Sequence, residues 1–355
     1  MRLNILIISG SLGGVERHTT DILNELSSRD YNIYHIVPTG YKISTPNTEY
    51  IEIPREICLK DIQIFYKILK YYFSIKETIH IIHGHSSKGG LYARLLFFFS
   101  KAKIYYSPHA FYTMNTSIGL LKQTVVKYTE KLLSFFTKKI ILSSTHEKSH
   151  AIDFLKIDSS KIIINPNCAD TIKSLVTNDI DEGGVVFGFC GRLVNQKNPL
   201  EVINIAKRLS SLNFKCKFLI LGDGYLKEAV IESISENQLQ NIQIIPKSNL
   251  DFFFNKINVL LVTSMYEGNP YLYQDALAYS KPIITSNVGG SNHYVENYKN
   301  GYIYNDIDDL CDFVVNNLTN DRKLSMYSEH SYKVSKRYPL RKMIDSLEQI
   351  YNNDR

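Results

Sequence analysis

Two carboxylates eight positions apart, Glu267 and Asp275, follow an apolar run at residues 259–262 that predicts a buried strand. Gly268-Asn269-Pro270 then breaks the chain, and a helix is expected from about Tyr271. Open α/β folds bind ligands at the carboxyl ends of their strands, and the first N–H groups of a helix favour a phosphate. Carboxylates beside such a terminus suit a ligand that carries both phosphates and hydroxyls, as a nucleotide sugar does.

Two cations, Arg192 and Lys197, lie in a loop that Gly191 opens after a second apolar run at residues 185–190. Arginine offers phosphate oxygens a planar fork and lysine a point charge. If a diphosphate leaves during a reaction, both cations would offset the developing charge. The alternative is a surface loop with incidental charges. The presence of Glu267 after another predicted strand makes that alternative less favoured.

A glycine-rich turn, residues 10–16, follows the first predicted strand. Gly13 and Gly14 would let a substrate approach the backbone closely, and Glu16 follows them. The turn does not match G-x-G-x-x-G, which argues against dinucleotide binding. A tight strand-to-helix turn is the alternative.

Histidines follow two further predicted strands. His109 comes after residues 103–107 and Pro108, and could hydrogen-bond a sugar hydroxyl or a leaving phosphate. A buried, satisfied histidine is the alternative. His83 and His85 could form a zinc pair, but no third ligand has a suitable spacing, so roles in shaping the backbone or binding an acceptor are favoured. The acidic residues at 306–309 are expected to cap a helix rather than to hold a metal.

Alternating strands and helices position these residues. The first half predicts strands near 3–8, 33–37, 79–83, 103–107, 139–143 and 161–164, and the second half predicts strands near 185–190, 217–221, 242–245, 259–262 and 282–285. This pattern predicts an α/β protein of two Rossmann-like, doubly wound parallel-sheet domains facing a cleft. The expected domains are residues 1–170 and 184–335, joined by a linker at 171–183. A final helix, within 336–355, is expected to pack back on the first domain.

The composition bounds the class of protein. With 355 residues, 44% of them hydrophobic, the chain can bury two cores. Its five cysteines are scattered, which argues against a disulfide framework or a zinc site and favours a reducing cytoplasm. The apolar run at residues 5–8 is a strand rather than a signal peptide, and the run at 95–99 is too short to span a bilayer.

Positive charge is concentrated in one stretch. The net charge is +6, and residues 55–139 hold 14 Lys and Arg against 4 Asp and Glu, with many Phe and Tyr between them. This mixture suits an anionic membrane surface, and a solvated basic face over core aromatics is the alternative. No nucleic-acid-binding motif is present, so nucleic acid is not expected as a partner.

In order and approximate spacing, the chain resembles the family-four retaining glycosyltransferases, which have the GT-B fold. The segments that carry the resemblance in the second half are Gly191-Arg192…Lys197-Asn198, Gly222-Asp223-Gly224, Ser264…Glu267-Gly268, Ala276-Leu277-Ala278…Pro282 and Val288-Gly289-Gly290. The first half adds Gly13-Gly14-Val15-Glu16, His83-Gly84-His85-Ser86-Ser87, Pro108-His109, Glu130 and Asn165…Asp170. The histidine-rich segments resemble members that build capsule, O-antigen or exopolysaccharide repeats.

The resemblance implies a role for each matching position. Arg192 and Lys197 would hold the donor diphosphate, Glu267 the hydroxyls of the donor sugar, and His109 would touch that sugar. Gly13 and Gly14 match the loop near the diphosphate and the acceptor. Residues Gly191, Gly268, Asn269, Pro270 and Tyr271 are further expected donor contacts, and Glu16, His83 and His85 are expected on the acceptor side. Asp275 departs from the family, which usually has a second Glu there to contact the ribose.

The expected reaction is transfer of a sugar from a nucleotide-diphosphate sugar to a glycan acceptor with retention at the anomeric carbon. No metal or other cofactor is expected. The acceptor is expected to be lipid-linked, and the enzyme to be cytoplasmic and peripheral on the inner face of the plasma membrane. The alternatives are another GT-B enzyme, such as a nucleotide-sugar 2-epimerase or a sugar phosphorylase, and a non-catalytic scaffold that binds sugar nucleotides.

Overall fold

The computed structural model describes residues 3–42, 47–54, 58–75, 79–115, 118–169, 180, 183–246 and 249–353. The chain forms two compact units: residues 1–167 with 340–355 make up unit 1, and residues 168–339 make up unit 2. Of the expected linker at 171–183, only residues 180 and 183 are among those described.

Within the described part of unit 1, seven parallel strands form one sheet in the order β3-β2-β1-β4-β5-β6-β7. The strands are β1 (Leu3–Ser9), β2 (Tyr31–Pro38), β3 (Thr48–Ile51), β4 (Ile81–His85), β5 (Lys103–Ser107), β6 (Lys139–Leu142) and β7 (Ile162–Ile164). The chain adds strands outward from β1 and then returns to place β4 on its other side. The carboxyl edge of β1 and β4 is therefore a topological switch point, where open α/β sheets bind ligands.

The helices that link these strands are α1 (Gly14–Ser27), α2 (Lys60–Ile75), α3 (Ser86–Leu95), α4 (Leu120–Ser134) and α5 (Thr145–Ser149). Helix α3 lies very close to the sheet. A Cβ atom on Gly89 would lie 2.3 Å from the carbonyl oxygen of Ile8, and one on Gly90 would lie 2.1 Å from the ring of Tyr106. Only glycine permits this approach.

Unit 2 repeats the arrangement, and its described residues form six parallel strands in the order β10-β9-β8-β11-β12-β13. The strands are β8 (Val185–Cys190), β9 (Cys216–Leu221), β10 (Ile242–Ile245), β11 (Val259–Val262), β12 (Ile283–Ser286) and β13 (Gly301–Tyr304). The helices are α6 (Pro199–Ser211), α7 (Lys227–Glu236), α8 (Leu250–Lys256), α9 (Tyr271–Ala278), α10 (Ser291–Tyr294), α11 (Ile307–Asn317) and α12 (Asp321–Ser335). Here the switch point lies between β8 and β11.

The last helix, α13 (Leu340–Asn352), belongs to unit 1. Its buried side chains include Leu347 and Tyr351. The Tyr351 hydroxyl lies 2.6 Å from Nδ1 of His83, and Nδ2 of Asn165 donates to the Met343 carbonyl at 3.1 Å. Arg29 forms ion pairs with Asp345 and Glu348 at 2.8 and 2.6 Å.

The prediction of two doubly wound parallel sheets is confirmed. The sequence pattern did not predict β3 or β13, both at sheet edges, and it placed β4 two residues early. Asp306 caps α11, since its side chain accepts a hydrogen bond from the Asp309 N–H at 2.9 Å, as expected for the acidic stretch. Among the described residues, no helix is both long and apolar enough to cross a membrane.

Candidate active site

The loops that follow β8 and β11 meet at the switch point of unit 2. Gln196, in the first loop, accepts the Met265 N–H with its carbonyl oxygen at 2.8 Å and donates from Nε2 to the Tyr266 carbonyl at 3.3 Å. Thr263 donates its hydroxyl to the carbonyls of Lys197 and Asn198, both at 2.9 Å. These bonds fix the two predicted ligand-binding segments against each other.

Glu267 is the buried centre of this contact. Its Oε1 pairs with the ammonium group of Lys197 and accepts the Ser264 hydroxyl at 2.7 Å. Burial of a carboxylate is tolerated only where such partners compensate the lost water. The structure thus brings together Glu267 and Lys197, and it adds Ser264, which holds the carboxylate in place.

Arg192 lies on the exposed side of the same loop, where its guanidinium donates to Oε1 of Gln196 at 3.1 Å. Gln196 was not singled out from the sequence, because its role depends on a loop about 70 residues away. Beneath the loop, a Cβ atom on Gly222 would lie 1.9 Å from the carbonyl oxygen of Gly191. The glycines of the 222–224 turn are therefore explained by backbone packing against this loop.

Asp275 is buried in the second turn of α9. Burial raises the pKa of the nearby Cys190 thiol to about 12; Lys197 opposes that rise and Asp275 adds to it. Asp275, Lys197 and the end of β8 are therefore close enough to interact electrostatically. The carboxylate of Asp275 therefore lies within electrostatic range of the end of β8.

The turn between Glu267 and α9 is tightly held. Asn269 and Tyr271 are buried, and Pro270 occupies the position before the first helical residue. Gly290 adopts a φ of 82°, and a Cβ atom there would lie 3.0 Å from the carbonyl oxygen of Gly268. Pro270 makes no side-chain cap at the start of α9, and its carbonyl accepts the Tyr273 N–H at 3.2 Å.

In unit 1, the glycine-rich turn follows β1 at the other switch point. Gly13 has a φ of 81°, and a Cβ atom on Gly13 or Gly14 would meet no heavy atom of the described residues within 4 Å. The carboxylate of Glu16 accepts the N–H groups of Gly13 and Lys42 at 3.3 and 2.8 Å. Glu16 therefore fixes the turn, and the two glycines border open space.

Four histidines cluster at the carboxyl ends of β4 and β5. His83 and His85 share one face of β4 with ring centroids 4.0 Å apart, and Nδ1 of His85 lies 3.1 Å from Nε2 of His109. The sequence offered no third ligand with a suitable spacing for His83 and His85, but the fold brings two further histidines beside them. His18, one turn into α1, lies with its ring centroid 4.6 Å from that of His109. Spacing along the chain could not reveal this, because α1 and β4 come together only in the folded sheet.

His109 stands on a strained turn. His109 and Ala110 both have positive φ, 53° and 80°, which is rare for residues with a side chain. The fully buried carboxylate of Glu147 compensates this strain by accepting the Ala110 N–H, and it also accepts the Ser143 N–H and hydroxyl at 2.7 Å each. Glu147 is thus a positioning residue that the sequence pattern did not reveal.

These histidines are neutral near pH 7. Burial lowers the pKa of His109 to about 4 and that of His83 to about 3, where repulsion from His109 adds to the effect. Burial, and then repulsion from neighbouring histidines, holds the pKa values of His18 and His85 well below the ordinary value. Neutral imidazoles can accept a hydrogen bond or bind a metal ion.

Comparison with known proteins defines the class. The two units belong to the GT-B fold, since sucrose-phosphate synthase from Thermosynechococcus elongatus superposes with a TM-score of 0.85 over 99% of each chain at 14% identity. The model for glycosyltransferase family 4 matches residues 12–173, and the model for glycosyl transferases group 1 matches residues 171–334. Together the two models cover residues 12–334, and the chain belongs to the glycosyltransferases that they describe.

Two relatives show how closely the chain resembles characterised members. A UDP-Gal:alpha-D-GlcNAc-diphosphoundecaprenol alpha-1,3-galactosyltransferase of Escherichia coli is 26% identical over 96% of this chain and 94% of its own. A capsular polysaccharide biosynthesis glycosyltransferase, CapM, of Staphylococcus aureus is 24% identical over 92% of this chain and 87% of its own.

Proposed function

We propose that the protein transfers a sugar from a nucleotide-diphosphate sugar to a lipid-linked glycan acceptor in surface polysaccharide synthesis, with retention at the anomeric carbon and without a metal at the diphosphate. The observation that carries the proposal is the Lys197–Glu267 pair at the switch point of unit 2, with Arg192 on the same loop. The Escherichia coli and Staphylococcus aureus relatives support the choice of a polyprenyl-diphosphate acceptor and of a surface polysaccharide.

In this proposal each charged side chain of the site binds a different part of the donor. An ammonium group has three N–H donors, so Lys197 can hold Glu267 and still donate to a phosphate oxygen. Arg192 adds a planar fork for the same diphosphate. Glu267 accepts hydroxyls of the donor sugar, and Asp275 faces the nucleoside. The leaving diphosphate takes the proton of the acceptor hydroxyl as the new glycosidic bond forms on the same face, so catalysis rests on positioning and charge stabilisation.

A transfer assay tests this proposal. The purified protein is incubated with UDP-, GDP-, dTDP- and ADP-sugars and a polyprenyl-diphosphate sugar, with and without EDTA, and the anomeric configuration of the product is read by NMR. We expect one base to support transfer, a product of the donor's own configuration, and no loss of rate with EDTA. An inverted product would refute retention, loss of activity with EDTA would refute metal independence, and donor consumption without acceptor would indicate an epimerase.

Two substitutions test the charge assignment in the same assay. Arg192→Ala and Lys197→Ala should each lower turnover by about 10²–10³-fold, the usual effect of removing one preorganised donor to a developing anion. Lys207→Ala is the matched control, since Lys207 is an exposed lysine on α6, and its turnover should equal that of the wild type. Near-wild-type turnover in both test variants would refute the assigned roles.

The proposal extends to docking on an anionic membrane through α4. This helix exposes an apolar stripe on its outer face, which we call the α4 stripe: Leu120, Leu121, Val125, Tyr128, Leu132 and Phe135, each more than half exposed. At 100° per residue these positions span less than half of the helix circumference. Lys122 and Lys127 flank them, and Lys131 lies within the stripe, beside Leu120. At the end of α4, Phe136 packs at 5.0 Å against Phe97 and Phe98, which are also exposed and continue the apolar surface.

Vesicle sedimentation tests the docking. Full-length protein should bind vesicles that contain anionic phospholipid at low salt and should bind less at high salt, because salt screens the lysine charges. Leu121→Glu combined with Tyr128→Glu should lower the partition coefficient at least about tenfold, since each buried side chain contributes about 1.5–3 kcal/mol. Met326→Glu, at a similarly exposed apolar residue in unit 2, is the control. Equal binding by both variants would refute docking through α4.

A further inference from the structure

The histidine cluster of unit 1 contains a group of nitrogen atoms whose close arrangement the proposed transfer does not explain. One ring nitrogen from each of His18, His85 and His109 lies within 4.8 Å of the other two. The three residues come from α1, from the end of β4 and from the turn after β5, so three separate elements converge on one point. Nothing in the transfer of a sugar calls for three imidazoles at such a distance from one another.

The distances are close to those of a metal site. Zinc binds imidazole nitrogen at about 2.0–2.1 Å in a tetrahedral arrangement, which sets the ligand nitrogens about 3.3–3.4 Å apart. Nδ1 of His85 and Nε2 of His109 are already 3.1 Å apart. Each of the three ligand nitrogens lies within 4.8 Å of the other two. A shift of at most about 1.5 Å therefore reaches the tetrahedral spacing, and rotation of an imidazole ring can supply it.

The protonation state suits a metal as well. Burial holds the pKa values of His18, His85 and His109 below the ordinary value for histidine, and a neutral imidazole is the form that binds zinc.

The surroundings orient these ligands. Asn167 lies close enough to His18 to influence its ring: burial lowers the pKa of His18, and the side chain of Asn167 opposes that fall. A cavity of about 10 Å³ adjoins the cluster, and its polar lining includes His18, His109, Ser107, Ser143 and Asn165. That volume holds about one water molecule, which would complete a four-coordinate site.

His83 is excluded from the ligand set. Both of its ring nitrogens are engaged, Nε2 with the Ser107 hydroxyl at 2.9 Å and Nδ1 with the Tyr351 hydroxyl at 2.6 Å. Its ring packs against that of His85. It therefore supports the ring of a ligand without being one, and it provides a control within the same cluster.

We propose that His18, His85 and His109 form a three-histidine site for a divalent transition metal, zinc in particular, with a water molecule in the fourth position. The site lies within unit 1, whereas the charges proposed to hold the diphosphate lie within unit 2. Zinc here would not replace Arg192 or Lys197. Imidazole ligands favour zinc and its neighbours over magnesium or calcium, so the site selects against the common cellular divalent ions.

A consequence follows that rests on the proposed function. The nitrogen that His109 would give to the metal is then unavailable to a sugar hydroxyl, so zinc and the donor sugar compete for His109. We expect micromolar zinc to lower the rate of transfer and EDTA to restore it. Binding of the metal itself requires no assumption about the reaction, so the two ideas can fail separately.

Metal binding to the untagged, full-length protein tests the site. After equilibrium dialysis against zinc, elemental analysis should find one tightly held zinc per chain. Titration with Co²⁺ should give the intense visible bands of a tetrahedral site with nitrogen ligands. Weak octahedral bands, or a zinc content no higher than that of a protein without the cluster, would overturn the proposal. This test needs only the wild-type protein.

Variants then assign the ligands. His18→Asn should lower the affinity for Co²⁺ by more than about 10–100-fold, because losing a ligand exceeds the loss seen for an outer-shell partner. His83→Gln should still bind one tetrahedral Co²⁺ per chain. Its affinity for Co²⁺ should fall by no more than about 10–100-fold, the range for changing an outer-shell partner. Circular dichroism checks that each variant is folded. Tetrahedral binding that survives His18→Asn and disappears in folded His83→Gln would refute the assignment.

Discussion

The side chains around Glu267 show how one buried carboxylate can be held in a fixed position. Lys197 supplies the opposite charge and Ser264 a hydroxyl donor, both on the same oxygen. The other carboxylate oxygen can then accept hydroxyls from a sugar. Because Lys197 is shared between Glu267 and the proposed diphosphate, donor binding and the orientation of the carboxylate are coupled at the level of a single ammonium group.

The lowered pKa values of the buried histidines predict how the stability of unit 1 depends on pH. In the unfolded chain these histidines have a pKa of about 6.5, and folding lowers the pKa of His109 to about 4 and of His83 to about 3. Below pH 6.5 the unfolded state binds more protons, so the free energy of unfolding of unit 1 should fall as the pH drops from about 6.5 towards 4. Each such histidine contributes up to about 1.4 kcal/mol per pH unit.

Hydrogen exchange of peptides from β4 and β5, with chelator present, would measure this loss of stability between pH 7.5 and 5. Peptides from β8 and β9, which contain no histidine, serve as the internal control after correction for the intrinsic exchange rate. An equal loss of protection in both sets of peptides would show that the histidines of unit 1 are not responsible.

The sequence identified the residues of the candidate site better than it identified their partners. Arg192, Lys197 and Glu267 were predictable because each follows a recognisable apolar strand, and such ends meet at one sheet edge. His18, Gln196 and Glu147 were not, because their roles arise from contacts between elements far apart in the chain. Local pattern does not contain that information.

At the level of elements, two glycines of unit 1 differ in the space that is available to a side chain at their positions. Gly90→Ala should destabilise unit 1 by about 1–3 kcal/mol, because the new Cβ would lie 2.1 Å from the rigid ring of Tyr106. That exceeds the gain of about 1 kcal/mol from helix propensity. Gly14→Ala, at the start of α1, meets no described atom within 4 Å and should leave the melting temperature unchanged or slightly raised.

The same pair of variants separates stability from function. If a substrate approaches the backbone at Gly14, Gly14→Ala should lower kcat/KM for transfer although its melting temperature is preserved. Wild-type kinetics in Gly14→Ala would mean that the glycine serves only the strand-to-helix turn. Thermal melts and transfer assays on both proteins are sufficient.

The strands that the sequence did not predict, β3 and β13, lie at the edges of their sheets. The edge strands β7 and β10 were predicted, so an edge position alone does not hide a strand. β3 (Thr48–Ile51) has an exposed centre, so it lacks the continuous apolar run that marks a strand buried on both faces. Central strands such as β1 and β11 were predictable because complete burial demands such a run.

For the whole molecule, the distinctive feature is that unit 1 is discontinuous in sequence. Strand β7 ends at Ile164 and α13 begins at Leu340, so the entire unit 2 lies between two parts of one core. Unit 1 therefore lacks its last helix until unit 2 has been synthesised. The exposed part of α13 is tied to β2 and the loop before it by Arg29 and Tyr31, which contact Glu348 at 2.6 and 2.9 Å.

The buried face of α13 should therefore control the stability of unit 1 without affecting unit 2. Leu347 is 2% exposed, and Leu347→Ala should cost about 2–5 kcal/mol, the range for removing a buried leucine from a packed core. Hydrogen exchange should show faster exchange of β4 and β6 peptides and unchanged exchange of β8 and β11 peptides. Lys342→Ala, at an exposed position of the same helix, should change neither set. Equal acceleration in both units after Leu347→Ala would mean that they unfold together, and no acceleration would mean that α13 adds nothing to the core of unit 1.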